Sequence, residues 1–132
     1  MVDIQNATNN QPSTINNQQS TINHQSIMKF TVEELLSKLP LPADEKWKDG
    51  VWDVEPFTKR GVRLVFFAPR GNDYQTAHDE DEFYFVVRGS GKLVIEGEPF
   101  DCTTGDAFFV AAGQSHHFEA FTDDFATWAI FF

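Results

Sequence analysis

The sequence predicts an all-β domain, an antiparallel sandwich or jelly roll, preceded by one short helix and a low-complexity tail. Two observations lead there. After Trp47 the chain reads as short apolar runs separated by Gly, Pro and Asp turns, with no second helical pattern among them. Bulky side chains are also concentrated beyond Met28, where most of the 14 Phe, all three Trp and both Tyr lie. That is enough aromatic volume to fill a small barrel.

Taken in order, residues 1–28 are rich in Asn, Gln, Ser and Thr and carry few bulky apolar groups, so they read as a disordered tail. Residues 13–19 and 20–26 repeat with a period of seven, but one Ile per repeat cannot make the two-position seam of a coiled coil. Tandem nucleotide repeats leave such a period after translation, and we therefore expect the native chain to start at Met28. Residues 29–46 read as a short helix and a linker. Thr31 followed by Glu34 forms a capping box, Phe30 can staple onto Leu35, and Pro40 and Pro42 stop the helix near Leu39. Residues 47–132 form the β domain, with strands expected at about 51–55, 62–68, 82–88, 92–96, 98–103, 107–112, 116–121 and 126–132. The connections at 88–91 and 96–98 are of hairpin length.

Composition narrows the function. Asp and Glu number 20 against 10 Lys and Arg, and a net charge of −10 without a basic cluster argues against nucleic acid and anionic membrane surfaces as partners. Cys102 is alone, which excludes an internal disulfide and a Cys-based zinc knuckle and suits a reducing compartment. No signal-like start and no spanning apolar run occur, so a cytoplasmic protein is expected.

Strand alternation places Thr76, His78, Glu80, Glu82 and Tyr84 on one face wherever the chain is extended, so His78 and Glu82 can both point inward. Taken alone, Asp79–Glu82 reads more readily as a solvated acidic turn leading into a strand than as part of a site. Further on, Gly105-Asp106 turns into an apolar strand, Gly113 turns the chain again, and His116 opens the next strand. Parity by itself does not bring His116 to the other two residues.

These two blocks resemble the paired motifs of the cupin family. His78, three residues, Glu82, six residues and Gly89 match the first motif. Gly105, five residues, Ala111 in the usual proline place, Gly113, two residues and His116 match the second. The region from about residue 50 to the end is similar to small stand-alone cupins. That resemblance implies a cupin jelly-roll β-barrel in which His78, Glu82 and His116 hold a divalent transition metal: Fe, Mn, Ni, Co or Zn. Thr76 stands where the family's first motif histidine is usual, so the implied site has three protein ligands and an open side. Gln75 is the nearest neutral oxygen donor that would substitute, but its parity points outward unless a bulge turns it.

Tyr84, Thr76 and Gln75 are expected to line the ligand space, with Arg63 and Trp128 as weaker lining residues and Phe118 as core. Glu80 and Tyr84 are the groups left for acid–base work, and neither is favoured over the other. The resemblance implies either a metal-dependent enzyme of dioxygenase, isomerase or epimerase type acting on a small polar molecule, or a non-catalytic module binding a small metabolite or sugar. Exposed edge strands and the aromatic ending Trp128–Phe132 lead us to expect a homodimer.

Overall fold

Eight strands follow a single short helix in the computed structural model, which describes residues 28–132. The low-complexity tail and its repeat lie outside the described residues. In chain order the elements are α1 (Val32–Leu36), β1 (Asp53–Lys59), β2 (Val62–Phe67), β3 (Glu82–Arg88), β4 (Ser90–Ile95), β5 (Glu98–Thr103), β6 (Ala107–Val110), β7 (His116–Glu119) and β8 (Ala126–Phe131). They make two antiparallel sheets, one in the order β1-β2-β8-β3-β6 and the other β5-β4-β7. Val32–Phe132 makes one compact unit.

The chain passes from the five-stranded to the three-stranded sheet between β3 and β4, at Gly89. There φ is +73°, and a Cβ would collide with Thr122 Oγ1 and fall 2.7 Å from Asp124 Oδ1. Only glycine fits that corner without strain.

Between the sheets lies a core that includes Val65, Phe67, Tyr84, Val86, Leu93, Val110, Phe118, Phe125 and Ala129. Alternation on β3 is clean: Glu82, Tyr84 and Val86 are buried, whereas Phe83 and Phe85 face outward. Each fully buried aromatic here stabilises the fold by about 1.5–3 kcal/mol.

Several elements depart from expectation: β4 starts at Ser90 rather than residue 92, β7 stops at Glu119 rather than residue 121, and α1, β1 and β6 differ for reasons the contacts show. The helix ends at Leu36 rather than near Leu39, and the chain closes with tighter turns, Lys38 N–H to Leu35 O at 3.1 Å and Leu39 N–H to Leu36 O at 3.0 Å. Pro40 has no N–H with which to continue the ladder.

β1 runs over 53–59 instead of 51–55 and contains Pro56, at a register shift between Val54 and Phe57. As an edge strand it tolerates a residue that cannot donate to a neighbour.

β6 stops at Val110 rather than at residue 112 because the next two amides are claimed by side chains. Ala111 N–H donates to Gln114 Oε1 at 2.9 Å, and Ala112 N–H donates to Asp81 Oδ1 at 2.8 Å.

Candidate metal centre

Two of the three ligand candidates stand at the start of strands. Glu82 opens β3 in the five-stranded sheet, and His116 opens β7 in the three-stranded sheet. His78 comes from residues 72–81, which form no strand. That segment is stitched to the turn before β7 by Gly113 N–H donating to His78 O at 2.8 Å and by the Ala112–Asp81 contact. Asp81 also exchanges both backbone hydrogen bonds with Phe132, each at 3.0 Å. These tethers supply the long-range closure that strand parity leaves open.

One ligand atom from each of His78, Glu82 and His116 lies within 4.8 Å of the others. Glu82 and His116 are 1% and 3% exposed, so the cluster sits at the barrel's inner wall. Both rings are oriented from behind. His78 Nδ1 donates to Glu80 O at 3.0 Å, and His116 Nδ1 donates to Gln114 O at 2.9 Å. A carbonyl only accepts, so each Nδ1 carries a proton and each ring turns its Nε2 inward.

Both nitrogens face Glu82 Oε1: His78 Nε2 is hydrogen-bonded to it at 2.9 Å, and His116 Nε2 lies 3.2 Å away. One shared proton serves the His78–Glu82 contact, and a cation between the three groups would serve all of them. The proton is only a partial answer. His116 Nε2 lies near Oε1 without hydrogen-bond geometry and is the one buried side-chain polar atom among the described residues that lacks a partner.

Burial alone would lower the His116 pKa. The Glu82 carboxylate, the Gln114 carbonyl and Asp73 together outweigh it and hold the pKa above its ordinary value. Two imidazole nitrogens and a carboxylate converging on one point, with one nitrogen orphaned, fit a divalent transition metal.

The cluster borders a cavity of about 310 Å³ walled by Trp47, Val65, Phe67, Ala129 and Phe131, with polar groups from Lys46, Asp53, Arg63, Gln75, Thr76 and Tyr84. Thr76, Gln75 and Tyr84 thus all line it, Tyr84 by the alternation of β3 and the other two not by the route parity suggested. Residues 72–81 are not extended as a strand, so alternation does not govern them.

Gln75 turns inward without a sheet bulge. Its Oε1 accepts from the Tyr84 hydroxyl at 2.9 Å and its Nε2 donates to Asp73 Oδ2 at 2.5 Å, which leaves neither end for a metal. Thr76 is exposed at the rim, where Lys46 Nζ donates to its hydroxyl at 3.3 Å.

Glu80, expected on the inner face as an acid–base group, instead accepts from Arg63, whose hydrogen bonds hold its carboxyl below the usual range. Tyr84 is fully buried, and burial first, then Glu82 and Asp73, push its phenol well above its ordinary value. Neither group is poised to exchange a proton.

Trp128 lies away from the cavity, edge-on to Phe66 at 5.1 Å, while Arg63 does line it. Phe118 is core, 1% exposed, and His117 turns to Glu119 at 3.1 Å.

Three cavity residues have no sequence signal that singles them out: Lys46, Trp47 and Asp53. Asp53 is the most informative of them. Burial first, with Asp44, Asp73 and Glu55 adding to it, raises its carboxyl above the usual range despite Arg63, and among the described residues no side-chain hydrogen bond or ion pair engages it. Asp53 opens β1 and falls inside the strand expected at 51–55 as well, but no local pattern set it apart from the chain's other acidic residues.

A two-sheet antiparallel barrel with a His/Glu/His cluster at its inner wall is the architecture the cupin motifs implied. The sequence profile of the Cupin domain family matches residues 63–132, and the chain belongs to that family. It is 32% identical over 93 residues to uncharacterized protein SCO3923 of Streptomyces coelicolor, a match covering 69% of this chain and 88% of that protein. It is 46% identical over 59 residues to an acireductone dioxygenase of Acidiphilium cryptum, covering 41% of this chain. The matched region spans 33% of that dioxygenase. A cupin 2 conserved barrel domain protein from Salinispora arenicola superposes with a TM-score of 0.53 at 17% identity, over 61% of this chain and 73% of that one.

Proposed function

We propose that the protein binds a divalent transition metal (Fe, Mn, Ni, Co or Zn) through His78 Nε2, His116 Nε2 and the Glu82 carboxylate, and acts as a metal-dependent enzyme on a small polar molecule held in the adjoining cavity. The observation that carries this reading is the buried, partnerless His116 Nε2 facing a carboxylate and a second imidazole nitrogen. A bound metal supplies Lewis acidity toward a carbonyl or hydroxyl pair and, where redox-active, reactivity with dioxygen.

The remaining work falls to the chain's own side chains. Trp47, Phe67 and Phe131 exclude water from one side of the cavity. Tyr84, Gln75 and Asp73 form a hydrogen-bonded wall on which polar ligand atoms can rest. Asp53 is the carboxylate left to accept a ligand hydroxyl or a proton. Similarity to acireductone dioxygenase supports the dioxygenase member of the set, and the unengaged Asp53 supports an isomerase or epimerase.

A second reading, a non-catalytic module for a small metabolite or sugar, is favoured by Thr76. Its hydroxyl faces Lys46 where a fourth metal ligand would be usual. Elemental analysis of protein purified without a metal-affinity tag, beside His78→Ala and His116→Ala, tests the site. We expect stoichiometric metal in the wild type and its loss in both variants. A wild type that neither retains nor takes up any of the five metals overturns the proposal. Turnover with and without oxygen then separates enzyme from binding module.

We further propose a homodimer formed through the aromatic outer face of the five-stranded sheet. Phe83, Phe85, Phe109 and Phe132 are each 39–48% exposed, and Phe83 lies within 6.1 Å of each of the other three rings. Among the described residues no helix is long and apolar enough to cross a membrane, and Cys102 is free. We also propose a cytoplasmic location, which the single, buried Cys102 supports.

A further inference from the structure

We infer that Arg63 and Glu80 are positioning residues that hold the His78 ring at the metal centre. This rests on the metal-binding reading for its consequence but not for its geometry. His78 stands in a segment without strand hydrogen bonding, so its ring needs an anchor that Glu82 and His116 receive from their strands.

The anchor is a chain of contacts. Arg63, on β2, presents its fork to Glu80, with Nε donating to Oε2 at 3.0 Å and Nη2 donating to Oε1 at 2.6 Å. The backbone carbonyl of the same Glu80 accepts the Nδ1–H of His78 at 3.0 Å. Fixing the Glu80 side chain therefore fixes the acceptor that sets the tautomer and direction of the ring.

A second strut runs in parallel. The Arg63 guanidinium lies 4.4 Å from the centre of the Phe131 ring, and Phe131 packs edge-on to His78 at 4.9 Å. One arginine thus supports the ring from its hydrogen-bonded end and from its face.

The geometry of the pair is specific. A two-pronged arginine contact restrains direction as well as distance, which a lysine in the same place does not reproduce. Glu55 also accepts from Arg63, at Nη1, but has no contact with His78 among those observed, so it serves as an internal control.

The experiment compares wild type with Glu80→Gln, Arg63→Lys, the double variant and Glu55→Gln. Two readouts are used: cobalt(II) titration followed by its visible spectrum, and ¹⁵N imidazole signals of the metal-free protein. Glu80→Gln and Arg63→Lys are expected to weaken cobalt affinity roughly tenfold and to alter the spectrum, as losses behind a ligand histidine generally do. In the metal-free protein the His78 signals should move from a fixed Nδ1–H form toward a mixture of tautomers.

The double variant should be little worse than either single one, because both break the same strut. Glu55→Gln should stay within about twofold of wild type, as expected of an exposed ion pair. Unchanged tautomer signals in Glu80→Gln, or equal damage from Glu55→Gln, overturn the inference. A wild type that fails to bind cobalt overturns the metal reading instead, while the tautomer measurement still decides whether Arg63 and Glu80 position the ring.

Discussion

Glu82 and His116 arrive on strands, His78 on a segment with none, and the three nevertheless meet within 4.8 Å. The strand-borne pair is enclosed by the core: Tyr84 packs against Phe118 at 4.8 Å and lies edge-on to His116 at 6.1 Å. The His78 side chain retains 24% exposure and depends on tethers to residues far away in the chain. The strand positions are held by the same packing that makes the fold, whereas the loop position is held by a few polar contacts. The two halves of the site should therefore fail differently.

The largest separation is expected between His116→Ala and His78→Ala. Both should lose metal in the titration, but His116→Ala opens a void among buried neighbours and removes the imidazole beside the buried Glu82 carboxylate. It should destabilise the metal-free protein by about 3 kcal/mol in chemical denaturation. His78→Ala should cost less, about 1–2 kcal/mol, because its ring is partly solvated and the main loss is its hydrogen bond to the buried Glu82 carboxylate. Equal costs would mean that the loop is as integral to the fold as the strand.

Next in size is the frame itself. Gly89→Ala forces a side chain into a positive-φ corner already occupied by Thr122 and Asp124 and should cost about 2 kcal/mol. The ligands are untouched, so metal affinity of the folded fraction should change little.

A smaller effect is the pH dependence of the metal-free protein. The folded pKa of His116 is raised above the ordinary 6.5, so its stabilising contribution is complete below the unfolded value and is lost as pH rises through the folded one. The melting temperature of chelator-treated protein should fall as pH increases above about 6.5, and Glu82→Gln should flatten that slope. Metal affinity should move the opposite way, strengthening as protons leave the site. A melting temperature that rises over the same interval would contradict the Glu82–His116 coupling.

The smallest expected effect on stability, though not on assembly, is Phe109→Ser on the outer face. It removes an exposed ring and should change folding by under about 0.5 kcal/mol. In light scattering it should shift the proposed dimer toward monomer.

Much of this molecule is legible in the chain, because turns and alternation are local. β2, β3, β5 and β8 lie within a residue or so of their expected bounds, and Gly89, Gly105 and Gly113 mark the corners by needing a positive φ. Local pattern failed where a long-range contact overrides it. Pro56 signalled a break but sits in an edge strand that has no need of its N–H, and β6 ended early because Gln114 and Asp81 took the next amides. Parity also assigned the wrong company to Glu80, which turns to Arg63 seventeen residues back, and it had Gln75 facing out where Tyr84 and Asp73 hold it in.

By itself, then, the sequence determined an all-β domain and its corners, since alternation and glycine turns are properties of neighbouring residues, and its resemblance to cupins implied the residue types of the site. Only the tertiary structure decided which ring nitrogens converge, that His116 Nε2 is left without a partner, that Asp53 joins the cavity and that Arg63 stands behind His78. Those depend on contacts closed across tens of residues, whose partners no local pattern specifies.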